Sequence, residues 1–322
     1  MITTSVFSCS KNVPQYDLIF VDEAQDLNKA QQALLMASLA PNGRFVAVGD
    51  PKQAINGFAG ADCESFANLK QLANGKEYPL SVCYRCGKKI VELAQTLVPS
   101  ISAFDGAEMG EIRHASDMVG VRKGDMVLCR KTAPLVGMCL KLIANGIPSN
   151  VLGRDMASGI KNLIVSTKAK TLDKLFEKLY HQIDLAIGRA QRKGLDPTTT
   201  ASVVSLQDKV ACIEAVSEGC TSVSAILSRI DDMFIDRDAN AQGDANKAKN
   251  IVSLSTIHKA KGLEADNVWI IAPEKLPLRF EGQKDWEYEQ ELNLCYVAYT
   301  RAKKVLTFVD VREKELGGVA VA

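Results

Sequence analysis

Short apolar runs rich in β-branched residues recur along this chain, and most stop abruptly at polar or glycine-containing sequence. Leu18-Ile19-Phe20-Val21 runs into Asp22-Glu23, and Phe45-Val46-Ala47-Val48 into Gly49-Asp50. Met126-Val127-Leu128-Cys129 precedes Arg130, Ile251-Val252-Ser253-Leu254 precedes Ser255-Thr256, and Val268-Trp269-Ile270-Ile271 precedes Ala272-Pro273. Val305-Leu306-Thr307-Phe308-Val309 follows a helical stretch. Continuous apolar runs of four or five residues predict parallel strands buried on both faces. Helical stripes separate them: Leu135, Met138, Cys139, Leu142 and Ile143; Ile90, Val91, Ala94 and Leu97; Leu292, Cys295, Tyr299 and Ala302. Thr132 is the expected cap of the first of these, with Pro134 in its first turn and Gly146 after its end. Strands alternating with helices imply an α/β fold with parallel sheets, which bind ligands at the carboxyl ends of their strands.

A different pattern holds from about 157 to 249. Leu172, Leu175, Phe176, Leu179 and Ile183 predict a long amphipathic helix, two more helices are expected near 201–217 and 222–234, and 236–249 reads as a polar exposed loop. This region is expected to be a helical insertion within an α/β domain. The 322 residues are 47% hydrophobic and 24% charged with a formal net charge of +1, so a nucleic acid would have to meet a local basic groove. No apolar stretch is long enough for a membrane helix, and the first residues carry no basic-then-apolar signal. Nine scattered cysteines make no disulfide framework. These features fit a cytoplasmic protein with no membrane partner. Cys83 and Cys86 form a CxxC, but no second pair follows at the spacing of a zinc site.

The chemistry concentrates at two strand ends. Asp22-Glu23-Ala24-Gln25 closes the first run. An aspartate there can hold Mg²⁺ on a nucleotide, and a neighbouring glutamate can deprotonate the attacking water. Alone, the four residues also read as an acidic turn before a helix capped by Asp26 or Asn28. Gly49-Asp50-Pro51-Lys52-Gln53 closes the second run, with the glycine expected to permit a tight turn.

Taken in order, the motifs resemble those of UvrD/Rep-type superfamily 1 helicases. Val21 to Asp26 resembles motif II, Gly49 to Ala61 motif III, Tyr84-Arg85 motif IV, Thr256 to Glu264 motif V, and Tyr296 to Ala302 motif VI. The resemblance implies RecA-like domains of the P-loop NTPase type, using ATP and Mg²⁺ to move along single-stranded or partly duplex DNA in repair or replication. It implies that Asp22 binds Mg²⁺, that Glu23 activates water, and that Gln25 and Gln53 sense the γ-phosphate. Arg85 and Arg301 would reach the triphosphate across the cleft, Glu264 would meet the ribose, and Gly262 would allow close backbone approach. Phe58 would stack on a base, and Thr256 and His258 would lie near the DNA backbone. The sequence Lys261-Gly262-Leu263-Glu264 implies 3′→5′ polarity.

The chain departs from the family at Asn56 and Ala59, where an aromatic and an arginine are common. More consequentially, the phosphate-gripping Gly-x-x-x-x-Gly-Lys-Ser/Thr occurs nowhere in it. The expected organisation is therefore the C-terminal part of a first, incomplete RecA-like domain over 1–76, and a second RecA-like domain over 77–156 and 250–322, with the helical insertion over 157–249. Two functions are open. One is an active helicase completed by missing sequence or a separate P-loop-bearing chain, the fragment being inactive alone. The other is a non-catalytic nucleic-acid-binding or interaction module.

Overall fold

The computed structural model describes residues 13–57, 64–235, 250–280 and 282–310. Its centre is a seven-stranded, all-parallel sheet in the order β5-β11-β10-β6-β9-β7-β8. These strands are β5 (Glu111–Ala115), β6 (Met126–Cys129), β7 (Ser149–Leu152), β8 (Phe234–Ile235), β9 (Val252–Thr256), β10 (Ala265–Ile271) and β11 (Ala302–Val309). This is the α/β arrangement expected from the alternating pattern, and the RecA-like one that the family resemblance implies.

The pleat sorts side chains between two cores. Val127, Cys129, Trp269 and Ile271 point into one core, where they meet helices α4 (Ala133–Ala144), α5 (Arg154–Ser166), α6 (Leu172–Arg192), α7 (Ala201–Ser217) and α8 (Val223–Met233). Met126, Leu128, Val268 and Ile270 point into the other, with α3 (Lys88–Gln95), α9 (Ile257–Ala260) and α10 (Asp285–Tyr299). Both faces of the central strands are covered, which is why those strands read as unbroken apolar runs.

The N-terminal segment carries a separate two-stranded parallel sheet, β1 (Tyr16–Val21) and β2 (Leu39–Ala47), with α1 (Lys29–Ala37) between the strands and α2 (Ser65–Leu72) after them. These strands were expected to be buried, and they are not. Tyr16, Leu18, Val46 and Val48 are exposed, and Phe20 is 73% exposed: they share one face of the pair, which is left open among the described residues, and no third strand flanks the pair there. A further small parallel pair, β3 (Val82–Cys83) with β4 (Ser102–Ala103), precedes and follows α3.

Local details refine other expectations. Thr132 does precede α4, but its hydroxyl does not cap it. The Asp208 carboxylate accepts from Thr132 N and Ala133 N at 3.3 and 3.2 Å instead. Ala302 opens β11 and does not extend the α10 stripe. Asn28 is the N-cap of α1, in a reciprocal capping box with Gln31. The expected loop at 236–249 lies outside the described residues. No helix among the described residues is long and apolar enough to cross a membrane.

Candidate functional site

Parallel pairing of β1 with β2 continues past the strands. Val48 N donates to Val21 O at 2.8 Å, and Ala24 N to Val48 O at 3.0 Å. Asp22-Glu23 and Gly49-Asp50 therefore emerge side by side. Gln25, 2% exposed, locks the two turns together: its Nε2 donates to Glu23 Oε2 at 2.5 Å, and its Oε1 accepts from Asp50 N at 3.1 Å. Gly49 is required here for close approach, not for turn geometry. A Cβ on it would sit 2.1 Å from Gln25 Oε1. Asp50 accepts from Lys52 N at 2.9 Å and from Gln53 Nε2 at 3.0 Å, which fixes the next turn. Glu23 takes a left-handed backbone conformation (φ 50°), and its side chain is more than half exposed. Asp22 is exposed and accepts from Glu23 N at 2.9 Å.

Side chains of the large sheet face this edge. Lys261, just after α9, donates to Asp26 Oδ2 at 2.6 Å and to Gln53 O at 3.0 Å, and lies 3.2 Å from Glu23 Oε2. Tyr296 lies near the Asp50 carboxylate, and burial together with that charge raises its phenol above the usual range. Asn293 Nδ2 donates to Ala54 O at 3.0 Å, and Lys52 pairs with Glu289 at 2.9 Å. Ile55 is buried in the same core as α3 and α10. The cleft thus has the N-terminal turns on one wall and α9, α10 and the loop before β10 on the other.

Arg85 lies on the second wall, its Nε 2.6 Å from Glu264 Oε2, while Lys303 approaches Glu264 Oε1 to 2.5 Å. The Lys303 contact, with Arg85 alongside, holds the Glu264 carboxyl below its ordinary range. Gly262 has φ +78°, so the backbone here turns in a way that side-chain-bearing residues disfavour. Arg301 is placed differently from an exposed phosphate ligand. It is 1% exposed, and its donors go to Val297 O, Leu263 O and Thr300 Oγ1 at 2.9, 3.1 and 3.1 Å. Burial, then the neighbouring Arg85, lowers its guanidinium to about 10.

Thr256 ends β9 and is buried. His258, two residues on and in the first turn of α9, is held neutral: burial, with Arg130 adding to it, pushes it down to about 3. Arg130 at the end of β6 grips Glu291 with Nε–Oε1 and Nη2–Oε1 at 3.1 and 2.7 Å. Phe58 lies outside the described residues. The structure therefore brings Asp22, Glu23, Gln25 and Gln53 to one wall and Arg85, Gly262 and Glu264 to the other. His258 and Thr256 lie at the end of β9, and Arg301 is behind the surface. Sequence reasoning gave Asp50 and Tyr296 no role, Asp26 only a possible helix cap and Lys261 only a place in the polarity motif, although all four lie inside the motifs it quoted.

No group of three or more His, Cys, Asp or Glu residues is set to hold a metal among the described residues. Asp22 offers one exposed carboxylate. That fits Mg²⁺, which keeps several waters and takes one or two carboxylates together with substrate phosphate.

Residues 9–74 match the UvrD/REP helicase N-terminal domain, and residues 160–313 match the UvrD-like helicase C-terminal domain. The chain belongs to the UvrD/Rep-type helicase family. It is similar to F-box DNA helicase 1 of Gallus gallus, 25% identical over 90% of this chain and 29% of that protein. It is 23% identical to the ATP-dependent DNA helicase PcrA of Staphylococcus aureus, over 99% of this chain and 59% of that protein. Over a shorter stretch, 30% of this chain and 14% of that protein, it is 33% identical to the ATP-dependent DNA helicase Rep of Salmonella typhimurium. The chain thus spans less than two thirds of the length of these relatives.

Proposed function

We propose that this chain supplies most of the nucleotide cleft of an ATP-dependent, 3′→5′ DNA translocase and helicase, and that the chain alone does not hydrolyse ATP. The observation that carries the reading is the convergence of Glu23, Asp26, Gln53 and Asp50 with Lys261 and Tyr296 across one cleft. Motif II and III residues there meet motif V and VI residues, as coupling between hydrolysis and movement requires. In this reading 1–76 is one wall, 77–156 with 250–322 is the other, and 157–249 is an inserted lobe. Asp22 would hold Mg²⁺, which when bound neutralises charge on the β- and γ-phosphates. Glu23, exposed beside Asp22, would take the proton of the attacking water. Gln25 fixes Glu23, and Gln53 is tied to Asp50, so a change at either turn reaches the other. Arg85 would stabilise charge on the transferring phosphoryl group, and Glu264 with Gly262 would border the ribose. Arg301 would act from behind, holding Leu263 and the end of α10 in place. Single-stranded DNA would run past Thr256, His258 and Phe58, in a cytoplasmic setting.

The phosphate cradle must come from sequence outside these 322 residues, in the same or another chain, because no Gly-x-x-x-x-Gly-Lys-Ser/Thr is present. That absence also favours the second reading, a non-catalytic nucleic-acid-binding module. Restoring a loop-bearing segment and measuring DNA-stimulated ATPase separates the two. The helicase reading expects turnover that Glu23→Gln abolishes while nucleotide binding persists. DNA binding without turnover in the restored protein would favour the module.

A further inference from the structure

Cys83 and Cys86 flank Tyr84 and Arg85 and take no part in the cleft chemistry above. Cys83 ends β3, and Cys86 directly precedes Gly87, the residue that opens α3, so the pair occupies a strand–CxxC–helix connection. The two thiols are near enough to act on each other electrostatically. Their surroundings are unequal. Cys83 is partly buried at the rim, beside the exposed Tyr84, whereas Cys86 is 1% exposed with its Sγ 3.6 Å from Thr300 O. Arg85 stands next to both, and Arg301 also bears on Cys86.

This asymmetry is what a thiol–disulfide centre needs: an approachable sulfur that reacts first and a sheltered one that resolves it. The neighbouring Cys86 thiol is the main influence that takes Cys83 down to about 5, assisted by the backbone N–H groups of Cys86 and Arg85 and by the charge of Arg85. The same contact, with burial, pushes Cys86 up. By contrast, burial pushes Cys129, Cys139, Cys212 and Cys295 up, which leaves them inert.

We propose that Cys83 and Cys86 are a reversible redox site, closed to a disulfide by a hydroperoxide and reopened by a thiol reductant. In the first step the Cys83 thiolate attacks one peroxide oxygen. An S–O bond forms, the O–O bond breaks, and the departing oxygen leaves as water after taking a proton. Cys83 is then a sulfenic acid. The Cys86 sulfur next attacks the Cys83 sulfur, forming the S–S bond and expelling hydroxide, which takes the Cys86 proton and leaves as water. Two thiols have lost two electrons, and one hydrogen peroxide has become two waters. Reopening runs through attack of a reductant thiolate on Cys83, the accessible sulfur, with Cys86 as leaving group. A second reductant thiol then releases Cys83 and carries away the new disulfide. The closed ring contains Tyr84 and Arg85, so oxidation fixes the backbone that carries Arg85 and draws Cys86 off Thr300 O. None of this chemistry needs nucleotide or DNA.

The test uses the purified 322-residue chain, reduced, freed of reductant, and treated with hydrogen peroxide. Trypsin cuts after Arg85, so a closed disulfide holds two peptides together with the loss of two hydrogens. We expect that linked pair, its separation by dithiothreitol, and alkylation of Cys83 by iodoacetamide at neutral pH at least about tenfold faster than of Cys129, Cys139, Cys212 or Cys295. Cys86→Ser should stop Cys83 at a sulfenic acid trapped by dimedone. Cys83→Ser, at the less buried position, should abolish the cross-link and leave Cys86 a thiol. Alkylation of Cys83 no faster than of the buried cysteines would overturn the proposal. So would peroxide treatment that links Cys83 to another molecule, or carries it past sulfenic acid while Cys86 stays reduced.

Discussion

Replacing Lys261 with methionine keeps the aliphatic stem and removes an ammonium shared by three acceptors on the opposite wall. The contact with Glu23 contributes little, because that carboxylate is 56% exposed and the pair is 3.2 Å apart. The contact with Asp26 weighs more: it is 2.6 Å long, with side chains only 11% and 25% exposed. Asp26 Oδ1 is already buried without a hydrogen-bond partner, so the variant strips the other oxygen as well. Gln53 O also loses its donor. A charge-assisted hydrogen bond of this kind is worth about 1.5–3 kcal/mol, part of which Asp26 recovers by turning to water. The N-terminal turns keep their anchors at Asn293 and Ile55, so they should stay folded but open more often. At about 1.4 kcal/mol per tenfold, hydrogen exchange at Ala24, Val48 and Asp50 should accelerate roughly ten- to hundredfold. Amides of Val127 and Ile270, in the large sheet, should not change. Unaltered protection of the N-terminal turns, or an equal loss everywhere, would refute the claim that Lys261 joins the walls.

Asn293→Ala should loosen the same segment by about 1–3 kcal/mol, because Ala54 O loses its buried donor, and limited proteolysis after Lys52 should speed up. His258 should show no imidazole titration by NMR until near pH 3. Its folded value lies below the unfolded value of about 6.5, so its contribution to stability is complete above pH 6.5 and is lost as pH falls from there toward 3; His258→Gln should flatten that part of the pH–stability curve. Arg301→Met should lower the unfolding midpoint as well as any restored ATPase, because Val297 O and Leu263 O lose their donors, whereas a pure phosphate ligand would affect only the ATPase.

The central strands were legible in the sequence because both of their faces are buried, which leaves no polar alternation to blur the run. The same reasoning misjudged β1 and β2, whose composition is that of interior strands although their side chains are exposed in this structure. The strands that sequence reasoning missed have the opposite problem. Glu111–Ala115 is an edge strand carrying charge, Phe234–Ile235 is a two-residue edge, and Ser149–Leu152 is half polar. None presents a buried run long enough to register. Helix α10 is buried from Asn293 through Ala298, being packed against the sheet on one side and against Ala54 on the other. Where a helix is buried on every side, as this one is over its C-terminal half, no stripe marks its end, so the pattern drawn through Leu292 and Ala302 overran it.

At the site, the positions were legible and the pairings were not. A strand ending in Asp22-Glu23 announces a cleft residue locally, but whether Lys261 meets Asp26 or Glu264 depends on contacts far apart in sequence. Arg301 shows the limit of residue identity: a guanidinium suits phosphate, yet its donors equally suit main-chain carbonyls, and only its burial distinguishes the two. Burial also ranks the cleft's cations. Arg85 and Glu264 are 41% and 39% exposed, so their ion pair is worth at most about 1 kcal/mol despite its 2.6 Å length. Lys303 would keep Glu264 paired if Arg85 left. Lys261, by contrast, is sheltered and leaves Asp26 without a partner when it goes. Arg85 can therefore change partners at little cost, whereas Lys261 is held. An incoming anion should accordingly recruit Arg85 and leave the Lys261 bridge in place.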